Sequence, residues 1–284
     1  MPEVALSLRD LIAEGAEQLR RRGLTEPRRE AFRIWTGLNQ AGPVEVRILE
    51  ESEVSSAAGA RFQRAIERRA LGEPLAHVTG WAGFRHLSLR SDHRALIPRP
   101  ETETLVELLL ARVRSGRVAD IGTGTGCIAL SLALEGCFSE VVAVDRSADA
   151  LALARENREL VGARVDLVQG DLCEPLRPGA FDALVSNPPY LTVAEYGALE
   201  GSVRDWEPAL ALVSGPDGLD ATGRLLAEGH GRLRPGGWLA LEVDSTRAAR
   251  SAERAAALGW EDIAIHFDLF GRERYLLARR SNAR

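Results

Sequence analysis

Asn187, Pro188, Pro189 and Tyr190 follow directly on the apolar run FDALVS. Proline biases the residue before it toward extended backbone. Two prolines in succession also remove two N–H donors and keep the chain from turning straight into a helix, so backbone carbonyls are left free. Such a corner suits a planar amine, either an amide NH₂ or the N6 of adenine. The Asn187 side-chain oxygen would accept one N–H and the Pro188 carbonyl the other, while Pro189 shapes the wall and Tyr190 offers a flat surface. The nitrogen of such a group is a poor nucleophile because its lone pair is delocalised. Holding both hydrogens favours a geometry in which that lone pair faces an electrophilic carbon. The chemistry is then alkyl transfer by alignment, which contributes about 7–11 kcal/mol to lowering a barrier and needs no strong base. Asn-Pro and Pro-Pro also end strands in ordinary turns, so the motif has to be weighed with its surroundings.

A second chemical stretch is VADIGTGTGCIAL, in which Gly122, Thr123, Gly124, Thr125 and Gly126 lie between a strand and a helix. Glycine lets a ligand touch the main chain, and a helix N-terminus offers donors to an anion. The dinucleotide fingerprint G-x-G-x-x-G requires glycine where Cys127 stands, which argues against NAD. The next strand, VVAVD, ends at Asp145, where a carboxylate can take both hydroxyls of an intact ribose. An adenosine-bearing ligand without a pyrophosphate fits, and S-adenosylmethionine is such a ligand, with its own carboxylate at the helix. In LVQGD, Asp171 reaches the tip of a third strand, positioned to meet the adenine amine.

These tips belong to an alternation of strand and helix. RVADIG, EVVAVD, VDLVQGD and FDALVSNPP are β-rich runs separated by helical segments such as CIALSLALEG and ADALALARENRELVG, which predicts a parallel, doubly wound sheet. WEDIAIHFD and RERYLLARR are joined by too few residues for a parallel crossover and should pair antiparallel. The fold expected is α/β, a Rossmann-like sheet of seven strands, mostly parallel with an antiparallel last strand, preceded by a small helical domain. Residues 1–75 form that helical domain. Leu8, Leu11, Ile12 and Leu19 share one face of a helix stopped near Gly23; Ala31, Ile34, Trp35 and Leu38 share a face of a second, with Thr25 as its cap; a third runs from about Glu53 to Arg69. Residues 76–97, with the alternating FRHLSLR, read as a hairpin linker, and residues 98–284 as the catalytic domain.

Composition excludes several classes. The chain has 284 residues, 45% hydrophobic and 27% charged, with a net charge of −5, so no global positive field recruits nucleic acid or an anionic membrane. All 36 basic residues are arginine, suited to planar bidentate contacts. Cys127, Cys137 and Cys173 form no CxxC pair and suit a reducing cytoplasm. The five histidines lack metal spacing, so no metal is expected. The N-terminal stretch MPEVALSLRDLIAEG has acids in place of an apolar signal core, and no run is long enough to span a membrane.

Taken together, GEPLAHVTGWAGF, LIPRPETETLVE, DIGTGTGCIALSLA, VVAVDRSADALALARENRE, FDALVSNPPYL, VRDWEPALALVSGPDGL and LRPGGWLALEV resemble class I S-adenosylmethionine-dependent methyltransferases. Within them the chain is similar to the PrmC/HemK release-factor glutamine methyltransferases. NPPY is shared with adenine-N6 methyltransferases of DNA and RNA, whereas PRPETE and VRDWEPALAL are specific to the protein-glutamine group. The resemblance implies transfer of a methyl group to N5 of the glutamine in the Gly-Gly-Gln motif of class 1 peptide release factors, with S-adenosylhomocysteine as the other product. It implies that Gly122 to Gly126, Asp145, Asp171, Leu172 and Asn187 bind the cofactor and that Asn187 to Tyr190 hold the glutamine. It also implies that the helical domain helps engage the release factor, and a cytoplasmic monomer is expected. The alternative is adenine-N6 methylation, against which stand the lack of a target-recognition domain and of a basic face. Three positions depart from the family pattern: Leu172, where some relatives carry an aromatic; LEVDSTRAA, where a Gly- and Gln-bearing segment is expected; and His77, where tyrosine is common. In PRPETE, Pro100 suits a first helical turn, and Glu101 and Glu103 complement its dipole.

Overall fold

The computed structural model describes residues 7–42, 44 and 51–282; Met1 to Leu6, the first part of the stretch read for a signal core, lie outside them. The chain divides into two compact units, residues 1–81 with 201–206, and residues 82–200 with 207–284.

In the first unit the helix Leu8–Arg21 opens at Ser7, whose hydroxyl oxygen accepts the Asp10 N–H at 3.2 Å. It buries Leu8, Leu11, Ile12 and Leu19, the face set by its periodicity. The helix Pro27–Asn39 buries Ala31 and Ile34, but its cap position is Glu26 rather than Thr25, with no side-chain cap bond. Pro27 accounts for this: it has no N–H to satisfy, and its fixed φ starts the helix unaided. The third helix, Ser56–Ala70, starts a few residues later than the pattern predicts because Ser55 caps it, accepting from Ala58 N–H. Phe62, Ala65 and Ile66 bury against the other two helices, and each large apolar side chain removed from water contributes about 1.5–3 kcal/mol. The short helix Leu75–Thr79 follows, so the start of the expected linker is helical.

A hairpin of β1 (Trp81–Phe84) and β2 (Leu87–Arg90) follows, and from Ala82 onward it belongs to the second unit. Its turn puts Arg85 at φ 51°, and two acids hold it there: Glu103 accepts the Arg85 N–H at 2.9 Å, and Glu135 takes the guanidinium at 2.6 and 2.7 Å. Glu103 therefore secures this turn in addition to any effect on its helix dipole. Seven strands form the main sheet: β3 (Ser115–Ile121), β4 (Cys137–Asp145), β5 (Asp166–Gln169), β6 (Phe181–Ser186), β7 (Leu233–Glu242), β8 (Trp260–Phe267) and β9 (Glu273–Arg280). Their order is β5-β4-β3-β6-β7-β9-β8. All neighbours from β5 to β7 are parallel, while β9 runs antiparallel to both β7 and β8, as the short β8 to β9 connection requires.

Successive residues of these strands face opposite sides. Val141, Ala143, Val185 and Leu277 enter one core with the helices Pro100–Leu110 and Cys127–Glu135. Val142, Val144, Leu184 and Leu276 enter the other with Asp220–Arg232 and Ala248–Ala257. Burial on both faces explains why the strands read as continuous apolar runs. Because β3 lies between β4 and β6, the chain leaves its carboxyl end in opposite directions on the two sides, and a crevice opens there.

Candidate functional site

A cavity of about 570 Å³ occupies that crevice, and the loops after β3, β4, β5 and β6 all reach it. The glycine loop is built from its own backbone. Gly122, Gly124 and Gly126 have φ of 71°, 55° and 84°, the left-handed region that a side chain disfavours. The N–H groups of Gly122 and Thr123 donate to the Val144 carbonyl at 2.8 and 3.0 Å, and Gly126 donates back to Thr123. Two buried side chains fix the loop. Asp120 accepts the Thr123 hydroxyl at 2.6 Å and the Ala129 N–H at 3.2 Å, and burial pushes its carboxyl up to about 7. Asn157 donates to the carbonyls of Thr125 and Arg90 and accepts the Arg90 N–H, tying β2 to the loop.

Asp145 caps the far side. One carboxyl oxygen accepts Gly124 N–H and the other Ser147 N–H, both at 2.9 Å. Burial raises its pKa while these bonds oppose the shift. A carboxylate has about four lone-pair sites, so each oxygen retains one for a hydroxyl. Asp171 and Leu172 also line the cavity. Asp171 is paired with Arg224 at 2.6 Å on a partly exposed surface, a partner its sequence position did not announce. Leu172 holds a left-handed backbone, φ 48°, rare for a leucine.

Asn187 and Pro189 line the same cavity from the end of β6, as do Gly122, Thr123, Gly124 and Thr125; Gly126, Pro188 and Tyr190 adjoin these in sequence and are not among the lining residues. The Asn187 amide nitrogen donates to the Thr102 hydroxyl at 3.0 Å, and that hydroxyl lies 2.7 Å from a Glu242 carboxyl oxygen. Thr102 and Glu242 are both buried. Among the described residues nothing donates to Asn187 Oδ1 or to the Pro188 carbonyl. Burial pushes the Tyr190 phenol up to about 12, with the Glu242 carboxylate adding to the shift, so it stays protonated.

Segments far along the chain hold this corner. Leu191 bridges to Val213, with Leu191 N–H on the Leu212 carbonyl at 2.9 Å and Ser214 N–H on the Leu191 carbonyl at 2.8 Å. Gly218, at φ 75°, passes so close to the Tyr190 carbonyl that a Cβ would fall 2.4 Å from it. Glu207 is buried and accepts Arg99 at 2.6 Å and Ile97 N–H at 3.2 Å, which joins the PRPETE and VRDWEPALAL segments; Arg99 lines the cavity and Glu101 does not. Arg247 pairs with Glu195 and Asp244 at 2.7 and 3.0 Å and donates to the Asp217 carbonyl, so the divergent LEVDSTRAA braces the loop after Tyr190. Thr102, Glu207, Gly218 and Glu242 escaped the sequence reading because no local spacing marks them.

Residues 10–80 match the PrmC N-terminal domain family, and residues 100–199 the methyltransferase small domain family. The release factor glutamine methyltransferase of Deinococcus radiodurans is 42% identical over 282 residues, spanning 97% of this chain and 99% of its own. The chain belongs to that family. The corresponding protein of Moorella thermoacetica is 43% identical over the same shares of the two chains. A Pyrococcus furiosus methyltransferase structure shares the fold, with a TM-score of 0.53 and 22% identity over 80% of this chain and all of its own. Among the described residues no helix is long and apolar enough to cross a membrane.

Proposed function

We propose that this protein transfers a methyl group from S-adenosylmethionine to N5 of the glutamine in the Gly-Gly-Gln motif of class 1 peptide release factors, and that it does so in the cytoplasm as a monomer. The observation that carries this reading is a single cavity bounded by an open glycine cradle and by Asn187, whose side-chain oxygen has no donor among the described residues. The cradle fits the cofactor: a Cβ built on Gly122 would meet nothing within 4 Å, so the main chain there is accessible to a ligand. Asp145 takes the ribose hydroxyls, Gly122 to Gly126 the amino-acid end, and Asp171 and Leu172 the adenine side.

When bound, S-adenosylmethionine supplies a methyl carbon already activated by its sulfonium. Asn187 Oδ1 and the Pro188 carbonyl hold the two hydrogens of the glutamine amide and set its nitrogen in line with that carbon. As the amide nitrogen bonds the methyl carbon, the carbon–sulfur bond breaks and neutral S-adenosylhomocysteine leaves; the alkylated nitrogen then gives up one of its hydrogens as a proton to solvent. Tyr190 and Pro189 keep the amide plane from rotating. The N-terminal helical unit, which matches its own family, engages the release factor. An adenine N6 would satisfy the same two acceptors, but identity to glutamine-modifying relatives across both units favours the protein substrate. Incubation with labelled cofactor and a release factor, its Gly-Gly-Ala variant, or adenine-containing oligonucleotides tests the assignment. Label is expected in the intact factor alone; label in the oligonucleotide, or undiminished in the variant, contradicts it.

A further inference from the structure

An amide set in a cavity wall can be turned end for end with almost no change of shape, exchanging its acceptor for two donors. For Asn187 the choice decides whether an incoming amine is gripped or repelled. The contacts behind it make that choice. Thr102 has one hydroxyl proton and lies between Glu242 Oε2, at 2.7 Å, and Asn187 Nδ2, at 3.0 Å. An ionised Glu242 offers acceptors only and takes that proton. Thr102 then has nothing but lone pairs to present to Asn187, which must answer with its nitrogen, and Oδ1 is left facing the cavity.

We propose that Glu242 and Thr102 are positioning residues that select the face of the Asn187 amide, and that the selection is lost when Glu242 takes up a proton. The proposal rests on the reading of Asn187 as the group that holds the glutamine nitrogen. A protonated Glu242 donates to Thr102, which frees the threonine proton for Oδ1, so the reversed amide becomes as well bonded as the productive one.

The surroundings place this change within the working range. Burial disfavours the Glu242 charge, as does Glu101; the Thr102 bond, Arg274 on β9 and Arg99 favour it, and the balance leaves the carboxyl at about 7. Tyr190 faces the same carboxylate and remains a neutral phenol. The group is neutral below that point and charged above it, so productive Asn187 geometry is gained as pH rises. Of the other buried acids near the cavity, Asp120 bonds the glycine loop and Glu207 holds Arg99 and the Ile97 N–H; neither is part of this chain of contacts.

Single-turnover transfer of labelled methyl to an intact release factor, followed from about pH 5.5 to about 8.5 beside cofactor affinity, tests the proposal. Thr102→Val keeps the shape and removes the hydroxyl; its rate is expected to fall about ten- to hundredfold with cofactor affinity within about threefold. Thr102→Ser restores the hydroxyl and is expected to recover most of that loss. Glu242→Gln removes the titrating group and is expected to abolish the acid-side fall in rate seen in the wild type. The proposal is overturned by a Thr102→Val rate within about twofold of wild type, or by a Glu242→Gln profile that keeps the acid limb. Asn187→Ala, run in parallel, separates the two levels. If it is inactive while Thr102→Val is normal, the positioning role alone fails; if Asn187→Ala transfers normally, the reading of the site fails with it.

Discussion

The two halves of the cavity are built in opposite ways. The glycine loop is set by main-chain bonds between adjacent strand ends and by side chains close to it in sequence, Asp120, Asp145 and Asn157, with Gly124 and Asp145 only 21 positions apart. The Asn187 amide is held by side chains distant in sequence: Thr102 stands 85 residues from Asn187 and 140 from Glu242. A backbone cradle binds whatever fits it and tolerates change around it. A side-chain corner selects one orientation of one group and is lost with any member. Cofactor affinity should therefore depend on the first half and transfer on the second.

Asn187→Ala is the severest break in that division. The transfer rate is expected to fall at least about a hundredfold while cofactor affinity moves no more than about threefold, read by single-turnover kinetics and calorimetry. A parallel loss of both would show that the halves are not separable. Asp145→Asn should do the reverse. One acceptor survives to hold Gly124, but the charge-assisted bonds to the ribose weaken, and cofactor affinity is expected to drop about ten- to thirtyfold. A larger loss of rate at saturating cofactor than of affinity would contradict the assignment of Asp145 to the cradle.

The contrast also explains what the sequence reveals. Gly122 to Gly126, Asp145 and the strand alternation are legible because the periodicities of strands and glycine turns are local. The NPPY motif is legible as a set of chemical groups. What aims it is not: Thr102 sits between two glutamates that read as dipole partners, and Glu242 ends a strand as a lone acid. Their meeting depends on β7 lying beside β6 and on the Pro100–Leu110 helix packing over that face, a matter of tertiary register. Gly218 was invisible for the same reason, since its need for glycine comes from the Tyr190 carbonyl. At Thr25 a residue with good capping propensity was passed over because Pro27 starts the helix one position later.

Smaller effects sharpen the comparison. Gly218→Ala meets both a left-handed backbone and a blocked approach, and is expected to lower stability by about 1–3 kcal/mol and slow transfer severalfold, with cofactor affinity less affected. Glu242→Gln carries a stability signature of its own. The folded pKa is raised from 4.5 to about 7, so the folded state holds its proton more tightly than the unfolded chain. Wild-type stability therefore falls, relative to the glutamine variant, as pH rises from about 4.5 through about 7, by about 3 kcal/mol in all. Thermal melts at a series of pH values would detect it, and a gap between the two proteins that does not change with pH would contradict it. Arg224→Ala releases Asp171 from a partly exposed ion pair. Such pairs contribute about 0–1 kcal/mol, so stability should barely change, and cofactor affinity should shift by about twofold as Asp171 becomes free to meet adenine.

The central claim is geometrical: one asparagine oxygen and one proline carbonyl grip the two hydrogens of a glutamine amide. A crystal structure with S-adenosylhomocysteine and a peptide bearing the Gly-Gly-Gln motif tests it most directly. The glutamine nitrogen is expected about 2.7–3.2 Å from both Asn187 Oδ1 and the Pro188 carbonyl oxygen, with Asn187 Nδ2 still on Thr102. A glutamine nitrogen bound away from these two oxygens, or an Asn187 amide turned toward the peptide by its nitrogen, would contradict the account.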